Sequence, residues 1–433
     1  MKTLFKNCDI ITTENGDFKV IKDGYLAVDG AFISYVGKLR PEGEFDAERD
    51  MSRHVLAPGL INCHCHSAMT LLRGVGSDLP LQKWLFDAVF PIEDRLTAKQ
   101  VRTGSELAML EMLSTGTTSF SDMYQDSRET IEAAIEAGMK ANIHVPVLSF
   151  DADESYESNV RSQNSIALAR EFSNAADGRV RAQFCVHAEY TCNEKIVRAY
   201  ADDCLRYGSM MHIHLSETKS EHDECVKKYG KTPAQWFRSL GAFDVPASAA
   251  HCVWATPEDI DIFAEKGVTV VHNPTSNLKL GSGIAPVPEM LERGVNVTLG
   301  TDGAASNNNL NMFEEMHLAA LIHKGFHCDP TIMTPHQILK MATINGALQQ
   351  GRTDTGSLEA GKRADIIAIS LDRPHMYPAF DDINMLIYSA QGFDVAMTMV
   401  DGRVLYENGE FKTIDAERVM FDARRAISEL YEG

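Results

Sequence analysis

Basic residues are scarce in this sequence relative to acidic ones. The 433 residues include 41 lysines and arginines against 61 aspartates and glutamates, which gives a net charge of −20 at pH 7. A surface of this sign repels phosphate backbones and anionic lipid headgroups. We therefore expect neither nucleic acid nor a membrane among the partners of this protein.

The sequence also lacks a disulfide pattern and a long apolar segment. Its nine cysteines are odd in number and include no CxxC pair, which disfavours a secreted disulfide scaffold and favours a reducing cytoplasm. The first residues, MKTLFKNCDIITTENGDF, are interrupted by charged and polar side chains, so we expect no signal peptide there. No apolar run approaches the length of a membrane span.

Several motifs that define common enzyme classes are missing as well. The alternative α/β fold, an open doubly wound sheet, usually carries GxGxxG or GxxxxGK[ST] after its first strand, and neither occurs there. No HExxH occurs, which disfavours a zincin protease. No PCxxC follows an HxE, which disfavours the small cytidine-deaminase type of zinc site.

Both ends of the chain have the pattern of short strands joined by tight turns. Apolar and polar residues alternate there around dipeptides that favour the positive φ angles of hairpin turns. The dipeptides are Asn15-Gly16, Asp29-Gly30, Asp401-Gly402 and Asn408-Gly409. We predict one small β-sandwich domain built from residues 1–56 and 361–433, and a central domain of residues 57–360.

The centre of the chain alternates short apolar runs with longer amphipathic stretches. The runs are rich in β-branched residues and are typical of buried strands. They occupy residues 55–64, 116–124, 140–148, 179–188, 210–217, 248–254, 267–274 and 294–303. Amphipathic stretches such as residues 97–114 and 256–267 have helical spacing. Eight strands, each followed by a helix or loop, predict an α/β fold of the (β/α)8 TIM-barrel type.

Chemically active side chains stand at or just after the ends of these predicted strands. They are His64, His66, His187, His214, His251 and Asp302. In a barrel of parallel strands the carboxyl ends meet on one face, where active sites are built. Residues that are far apart in the sequence are therefore expected to share one pocket.

His64 and His66 are separated by one residue in a predicted strand. Alternate residues of a strand point the same way, so both imidazoles can face the barrel mouth while Cys63 and Cys65 point elsewhere. Imidazole is a common ligand of zinc and iron. Taken alone, such a pair is more often a packed or chance pair, and two thiolate ligands are a weaker alternative.

The segment HIHLSET, residues 212–218, supplies a third imidazole and a carboxylate. His214 can be the third metal ligand, and Glu217, three residues later, lies within reach of water at the metal. That position suits a general acid or base. His212 shares a strand face with His214 and competes for its role, although a buried, hydrogen-bonded histidine is the more ordinary interpretation.

Two further strand ends complete the set. His251 ends the sixth run and can be another ligand or can orient the attacking water. Asp302 ends the eighth run, where a carboxylate can bind a metal and accept the proton of water, or simply cap a helix or form an Asp-Gly turn. Three histidines and a carboxylate on one barrel face predict a mixed metal site that lowers the pKa of a water from 15.7 to roughly 7.

Long motifs in the central domain also carry a family resemblance. They are PGLINCHCH, HIHLSET, AHCVW, HNPTSNLKLGSGIAP and LGTDGAASNNNLNMFEEM. These motifs resemble the amidohydrolase superfamily, and most closely its branch of 5′-methylthioadenosine/S-adenosylhomocysteine deaminases. AGKRADIIAI resembles the return strand of the β-sandwich in that family. The resemblance covers almost the whole chain and implies a (β/α)8 barrel, a small β-sandwich from both termini, and one divalent metal ion, usually zinc and sometimes iron.

The resemblance also implies roles for individual residues. The implied metal ligands are His64, His66, His214 and Asp302. The implied proton shuttle is Glu217, and His251 resembles the residue that orients the attacking water. The implied substrate contacts are Glu93 in VFPIEDRLT for the adenine, His187 in VHAEYTC, Arg161 in SNVRSQN for the ribose or its tail, Trp84 in LPLQKWL as an aromatic lid, and Glu217 and Asp302 themselves.

The substrate contacts have ordinary alternatives. Trp84 can be a core residue, Arg161 a surface charge, and Glu93 a solvated residue at the start of a helix.

Two features depart from the family pattern. The family more often has threonines at the positions of Cys63 and Cys65, and a thiol is near-isosteric, so metal binding should survive. Glu189 stands where many relatives have proline. An extra carboxylate near His187 can change recognition of the sugar or its 5′ group, which leaves the natural substrate open.

The activity implied by the resemblance is hydrolytic deamination of adenosine-type nucleosides to inosine analogues and ammonia. The expected substrates are 5′-methylthioadenosine, S-adenosylhomocysteine, adenosine and 5′-deoxyadenosine. The alternatives are a related amidohydrolase acting on guanine, a pterin or an s-triazine, and a non-catalytic metal-binding protein. The acids Glu217 and Asp302 argue against the last, because a structural site needs no spare acid. The expected partner is a small-molecule nucleoside, and the resemblance implies a homo-oligomer, a dimer or tetramer.

Overall fold

The structure of this protein is a computed structural model that describes residues 1–151 and 153–431. The strands are β1 Lys2–Glu14, β2 Asp17–Asp29, β3 Phe32–Gly37, β4 Ala47–Asp50, β5 His54–Pro58, β6 Leu60–Cys65, β7 Thr117–Met123, β8 Lys140–Val147, β9 Val180–Val186, β10 Met211–Leu215, β11 Ala247–His251, β12 Thr269–His272, β13 Val297–Leu299, β14 Ile366–Ser370, β15 Val395–Val400, β16 Arg403–Glu407 and β17 Glu410–Phe411.

The α-helices are α1 Leu81–Lys83, α2 Phe90–Glu93, α3 Ala98–Ser114, α4 Ser127–Ala137, α5 Val160–Glu171, α6 Glu194–Tyr207, α7 Lys219–Tyr229, α8 Pro233–Ser239, α9 Pro257–Lys266, α10 Pro274–Lys279, α11 Val287–Glu292, α12 Ala304–Asn307, α13 Met312–His327, α14 Pro335–Ala342, α15 Ile344–Gln349, α16 Asp382–Tyr388 and α17 Ala416–Tyr431. Turns of 3-10 helix lie at Ser67–Leu72, Glu189–Thr191, Pro374–Met376 and Gly392–Asp394, and Trp84–Val89 is π-helical.

One sheet is mixed and takes its strands from both ends of the chain. Its order is β17-β16-β15-β14-β5-β1-β2-β3, and β4 pairs with β1. The two ends meet where β5 runs antiparallel to β14, with Ala57 opposite Ile367. This arrangement confirms the β-structure predicted from the two termini, whereas the domain boundaries at residues 56 and 361 remain a prediction.

The two halves of this sheet share one hydrophobic core. Phe5 and Leu26 from the N-terminal strands lie in the same buried cluster as Ile366 and Met397 from the C-terminal strands. These strands are connected through β5, whose Leu56 belongs to the same cluster, so the core runs continuously across both halves of the sheet.

The other sheet is parallel throughout and follows chain order from β6 to β13. Its eight strands overlap the eight apolar runs of the sequence. Between β13 and β6 the backbone N–H of Asp302 donates to the carbonyl of His64 at 2.9 Å, so the first and last strands are joined. The predicted (β/α)8 barrel is confirmed.

Burial explains why the barrel strands read as continuous apolar runs. β7, β8 and β10 are buried at every residue, because one face meets the barrel interior and the other meets the surrounding helices. The helices predicted over residues 97–114 and 256–267 form as α3 and α9, each starting at a threonine whose capping box satisfies the first backbone N–H groups.

A buried lysine connects the barrel to the terminal sheet. Lys140 is the first residue of β8, and its Nζ contacts the carboxylate of Asp365 and lies 2.7 Å from Oδ1 of Asp401. Arg363 lies 3.2 Å from the same Asp401 oxygen. Buried charges persist only when they are paired, so this cluster fixes the sheet to the amino-terminal end of the barrel.

The last helix packs on the barrel. Ala423, Ala426 and Leu430 of α17 lie in one cluster with Leu71 and Val101. Within the described residues, no helix combines the length and apolarity needed to cross a bilayer.

Candidate metal centre and active site

The carboxyl ends of four barrel strands bring histidines and a carboxylate together. Oδ1 of Asp302 lies 3.3 Å from Nε2 of His64 and 3.1 Å from Nε2 of His66. Ligand atoms of His64, His66 and His214 all lie within 4.8 Å of one another, and those of His64, His251 and Asp302 do so as well. The spacing suits a single ion held between them.

The donors in this cluster fit a divalent metal ion. Nε2 of His64 is buried and has no hydrogen-bond partner, a costly condition for an imidazole unless a ligand occupies that position. Three imidazole nitrogens with one carboxylate form the mixed nitrogen and oxygen set that zinc and iron accept.

Each histidine is oriented through its other ring nitrogen. Nδ1 of His66 lies 2.5 Å from the Met123 carbonyl, and Nδ1 of His214 lies 3.1 Å from the His187 carbonyl. Nδ1 of His64 lies 2.9 Å from Nε2 of His212. These contacts engage the Nδ1 side, which leaves Nε2 of each ring directed at the cluster.

Asp302 is held by hydroxyl groups in a strained backbone. Its Oδ2 accepts hydrogen bonds from Ser276 at 2.6 Å and Ser306 at 2.8 Å, which leaves Oδ1 to the histidines. Burial by itself would raise the pKa of Asp302, but the adjacent imidazoles of His64 and His66 outweigh it and hold the pKa well below its usual range. The φ of +61° is uncommon outside glycine and is typical of functional sites.

A glycine allows the last strand to approach the first. A Cβ atom on Gly300 would lie 2.9 Å from Cβ of His64 and 2.6 Å from Oδ1 of Asn273. Any larger residue would push β13 away from β6 and separate Asp302 from the histidines.

Glu217 follows β10 and is buried beside the cluster. One carboxylate oxygen accepts a hydrogen bond from Ser282 at 3.4 Å, and the other lies 3.8 Å from Nε2 of His251. Burial raises the pKa of Glu217 to about 7, against the opposing effect of His251. A carboxyl group of this kind can both hold and release a proton near neutral pH.

His251 ends β11 and faces Glu217. Its Nδ1 lies 2.8 Å from Oδ1 of Asn277, so its Nε2 is directed toward the cluster. Burial lowers the pKa of His251, but the nearby carboxylates of Glu217 and Asp302 outweigh it and the pKa is raised. Its φ of +73° is a second strained backbone position at this site.

These groups open into a cavity of about 760 Å³, a volume that includes the solvent at its mouth. Among the sequence candidates, those that line the cavity are His66, Trp84, Glu93, Arg161, His187, His214, Glu217, His251 and Asp302. His64 lies beneath them and is fully buried. The structure therefore brings all ten sequence candidates to one place.

The candidate substrate contacts surround the cavity. Trp84 lies in the π-helical turn, is 5% exposed, and donates from Nε1 to the Val75 carbonyl at 3.1 Å. Glu93 ends α2 and is half-buried, and burial raises its pKa. His187 follows β9 and lies 3.2 Å from the Thr191 hydroxyl through Nδ1. Arg161 is exposed near the start of α5.

The model of the amidohydrolase family matches residues 55–405. The chain belongs to this family. A 5-methylthioadenosine/S-adenosylhomocysteine deaminase of Acetivibrio thermocellus is 44% identical over 428 residues, which cover 98% of each chain. A 5′-deoxyadenosine deaminase of Methanosarcina acetivorans is 42% identical over 427 residues, which cover 99% of this chain and 98% of the relative.

A solved structure of an adenosine deaminase from Xanthomonas campestris, with bound zinc, resembles this amidohydrolase closely. It aligns with a TM-score of 0.94 and 29% identity, covering 100% of this chain and 99% of the other. The shared fold agrees with the barrel and terminal sheet described above.

Several residues of this site were not identified from the sequence of this amidohydrolase. Tyr124 lines the cavity, and its buried hydroxyl faces the carboxyl of Glu93. Tyr190 also lines the cavity. Ser276 and Asn277, which hold Asp302 and His251, belong to the motif HNPTSNLKLGSGIAP, but the motif alone does not reveal what its polar residues contact. Tyr124 ends the second apolar run, a position that could have drawn attention to it.

The departures from the family pattern lie outside the cavity lining. Cys63 packs with Ile61 and Val271, and burial raises the pKa of its thiol to about 12. The Cys65 thiol donates to Asp122 at 3.5 Å. Glu189 is 3% exposed and contacts Glu221 rather than lining the cavity, so any influence on recognition of the sugar would be indirect.

Proposed function

We propose that this amidohydrolase deaminates adenosine-type nucleosides by hydrolysis. The substrates would be 5′-methylthioadenosine, S-adenosylhomocysteine, 5′-deoxyadenosine and adenosine, and the products the corresponding inosines and ammonia. The observation that carries the proposal is that the histidine–aspartate cluster, the acid Glu217 and the half-buried Glu93 share one cavity. The names of the relatives, deaminases of 5-methylthioadenosine/S-adenosylhomocysteine and of 5′-deoxyadenosine, support the same substrate class.

The metal would be held by His64, His66, His214 and Asp302. We propose zinc, because three imidazoles and a carboxylate suit it and the similar solved adenosine deaminase contains it; iron is the alternative. When bound, the ion acts as a Lewis acid that lowers the pKa of a coordinated water to about 7.

Protons would move through three side chains around C6 of the purine. Glu217 donates a proton to the ring nitrogen next to C6, while Asp302 takes a proton from the attacking water. His251 orients that water and stabilises the negative charge that develops on its oxygen. The C6–O bond forms, the C6–N bond breaks, and the second proton of the water leaves with the amino group as ammonia. The proton taken by Asp302 replaces the one that Glu217 gave to the ring nitrogen, so one water is consumed per inosine formed and both side chains return to their starting state.

The remaining cavity residues would position the nucleoside. Glu93, which the buried Tyr124 hydroxyl faces, accepts or donates a hydrogen bond at the edge of the base. Trp84 and Leu81 supply an apolar wall against which the nucleoside packs. His187 and Arg161 face the sugar and its 5′ substituent, and Arg161 can reach solvent.

We propose a homo-oligomer, a dimer or tetramer, and a reducing, cytoplasmic location. The nine cysteines are all free thiols, and eight of them are buried, which supports a compartment where disulfides do not form.

The test is a substrate panel with defined metal content. Zinc-loaded, iron-loaded and chelator-treated protein would be mixed with adenosine, 5′-methylthioadenosine, 5′-deoxyadenosine and S-adenosylhomocysteine, with ammonia release and the ultraviolet shift on loss of the 6-amino group as readouts. Guanine, a pterin and an s-triazine form the comparison set. We expect turnover of nucleosides by metal-loaded protein alone. Turnover confined to the comparison set, or metal binding without turnover of any compound, would contradict the proposal.

A further inference from the structure

Two buried carboxyl groups that do not line the cavity lie next to the Glu217 segment. Glu189 opens the 3-10 turn after β9 and is 3% exposed, and its Oε2 is buried without a hydrogen-bond donor. The group in contact with it is the carboxyl of Glu221, in the first turn of α7. Neither residue lines the cavity, so neither is available to touch substrate.

Glu221 holds the segment that carries Glu217. Its carboxylate accepts backbone N–H groups from Ser216 at 2.8 Å, from Glu217 at 2.7 Å and from Thr218 at 3.3 Å. Ser216 has a φ of +48°, so this bend is strained and needs such a support. The direction of the Glu217 side chain therefore depends on where Glu221 lies.

Two buried carboxyl groups in contact cannot both be ionised. Glu221 accepts three N–H groups and sits at a helix N-terminus, so it is the better anion. Burial, and then the charge of Glu221, raise the pKa of Glu189 well above its ordinary value. The other titratable groups that face the pair are Glu217, Tyr190, Cys225, Lys228 and His251. Glu189 thus keeps the proton and can donate it to Glu221.

We propose that Glu189 is a positioning residue that, as a neutral acid, hydrogen-bonds Glu221 and so holds the Glu217 segment in place for proton transfer. The contact joins two loops that both contribute side chains to the cavity. The loop after β9 carries His187 and Tyr190, and the loop after β10 carries Glu217. The inference rests on the proposed deaminase function, because it concerns the placement of its proton shuttle.

The kinetic test compares Glu189→Ala and Glu189→Gln in zinc-loaded protein, with the exposed Glu194→Gln as control. Alanine removes the hydrogen-bond donor to the charged Glu221. Because a hydrogen bond to a charged group contributes substantial free energy, we expect kcat to fall about tenfold with KM nearly unchanged. The glutamine keeps an N–H donor, so we expect kcat within about twofold of the wild type. At alkaline pH the wild type should lose activity as Glu189 ionises beside Glu221, and Glu189→Gln should not.

A second measurement does not depend on turnover. Hydrogen–deuterium exchange at the amides of Ser216, Glu217 and Thr218 should be faster in Glu189→Ala than in the wild type, and restored in Glu189→Gln. If wild-type protein exchanges slowly but deaminates nothing, the proposed function fails while the positioning contact stands. If Glu189→Ala matches the wild type in exchange and kcat, or if Glu189→Gln behaves like Glu189→Ala, the positioning role is wrong.

Discussion

Nε2 of His212 lies 2.9 Å from Nδ1 of His64, and Nδ1 of His212 lies 2.6 Å from the hydroxyl of Ser248. For Nε2 of His64 to bind a metal, the ring proton must sit on Nδ1, where it is donated to His212. His212 then carries its own proton on Nδ1 and donates it to Ser248. The buried pair fixes which nitrogen of His64 is free.

We therefore expect His212→Phe to weaken metal binding. The substitution keeps a ring of similar size but removes the acceptor for the His64 proton, and loss of such a partner costs about 10–100-fold in metal affinity. Competition with a chelator would measure the zinc affinity. His323→Phe is the matched control, since His323 is buried against His272 rather than against a ligand. Equal zinc affinities in the two variants would show that His212 does not support the metal site.

Glu217→Gln should abolish most of the activity and leave the metal in place. The amide cannot donate and recover a proton, and general acid–base groups contribute about 10²–10⁴-fold to rate. Adenosine turnover and zinc content, measured on the same preparation, separate the two effects. The control is Glu224→Gln on the exposed face of α7. Near-normal turnover in Glu217→Gln would show that Glu217 does not transfer the proton.

Glu93→Ala tests the assignment of the base-binding end of the cavity. Loss of a hydrogen bond from a carboxyl group to the purine should lower kcat/KM for adenosine about 10–100-fold. Zinc content should not change, because Glu93 is not among the clustered donors. Asp94→Ala, an exposed neighbour, is the control. Unchanged nucleoside turnover in Glu93→Ala would mean that the substrate assignment is wrong.

Lys140→Met should destabilise the fold without touching the catalytic face. Removing one partner of a buried ion pair costs about 3–5 kcal/mol, and here it leaves Asp365 without its cation. Urea denaturation would give the free energy of unfolding, with the exposed Lys99→Met as control. If Lys140→Met lowered the free energy of unfolding no more than Lys99→Met does, the buried cluster would contribute little to stability.

The ion pair of Lys140 and Asp365 also predicts how stability depends on pH. Although burial raises the pKa of Asp365, the charge of Lys140 outweighs it and lowers the pKa below the usual value of 3.8. A carboxyl group whose pKa is lower in the folded than in the unfolded protein stabilises the fold at any pH above the unfolded-state pKa. This stabilisation is lost as the pH falls through the folded-state pKa. The gap in unfolding free energy between wild type and Lys140→Met should therefore narrow below about pH 4. A gap that stayed constant from pH 7 to pH 3 would contradict this account.

Most of the barrel could be predicted from the sequence because its strands are buried on both faces. That burial imposes apolar runs such as residues 140–148, and the chemically active residues stand out as polar interruptions at their ends. His64, His214 and Asp302 are visible in this way, as is the helix that begins after Thr97.

Contacts between distant side chains could not be predicted in the same way. The pairing of His212 with His64 depends on how β6 and β10 face each other across the barrel, which no local pattern encodes. In the sequence Glu189 stands two residues from His187, where an extra carboxylate can change recognition of the sugar or its 5′ group. The 3-10 turn that begins at Glu189 directs its side chain to Glu221 instead.

The backbone bond from Asp302 to His64 joins the first and last strands of the barrel at the metal site itself. The four proposed ligands are spread over 239 positions, from residue 64 to residue 302. A nascent chain on the ribosome therefore has an incomplete donor set until its eighth barrel strand has emerged. Cofactor loading in the cell would then follow synthesis of nearly the whole barrel, and a truncated product ending before that strand would be metal-poor as well as inactive.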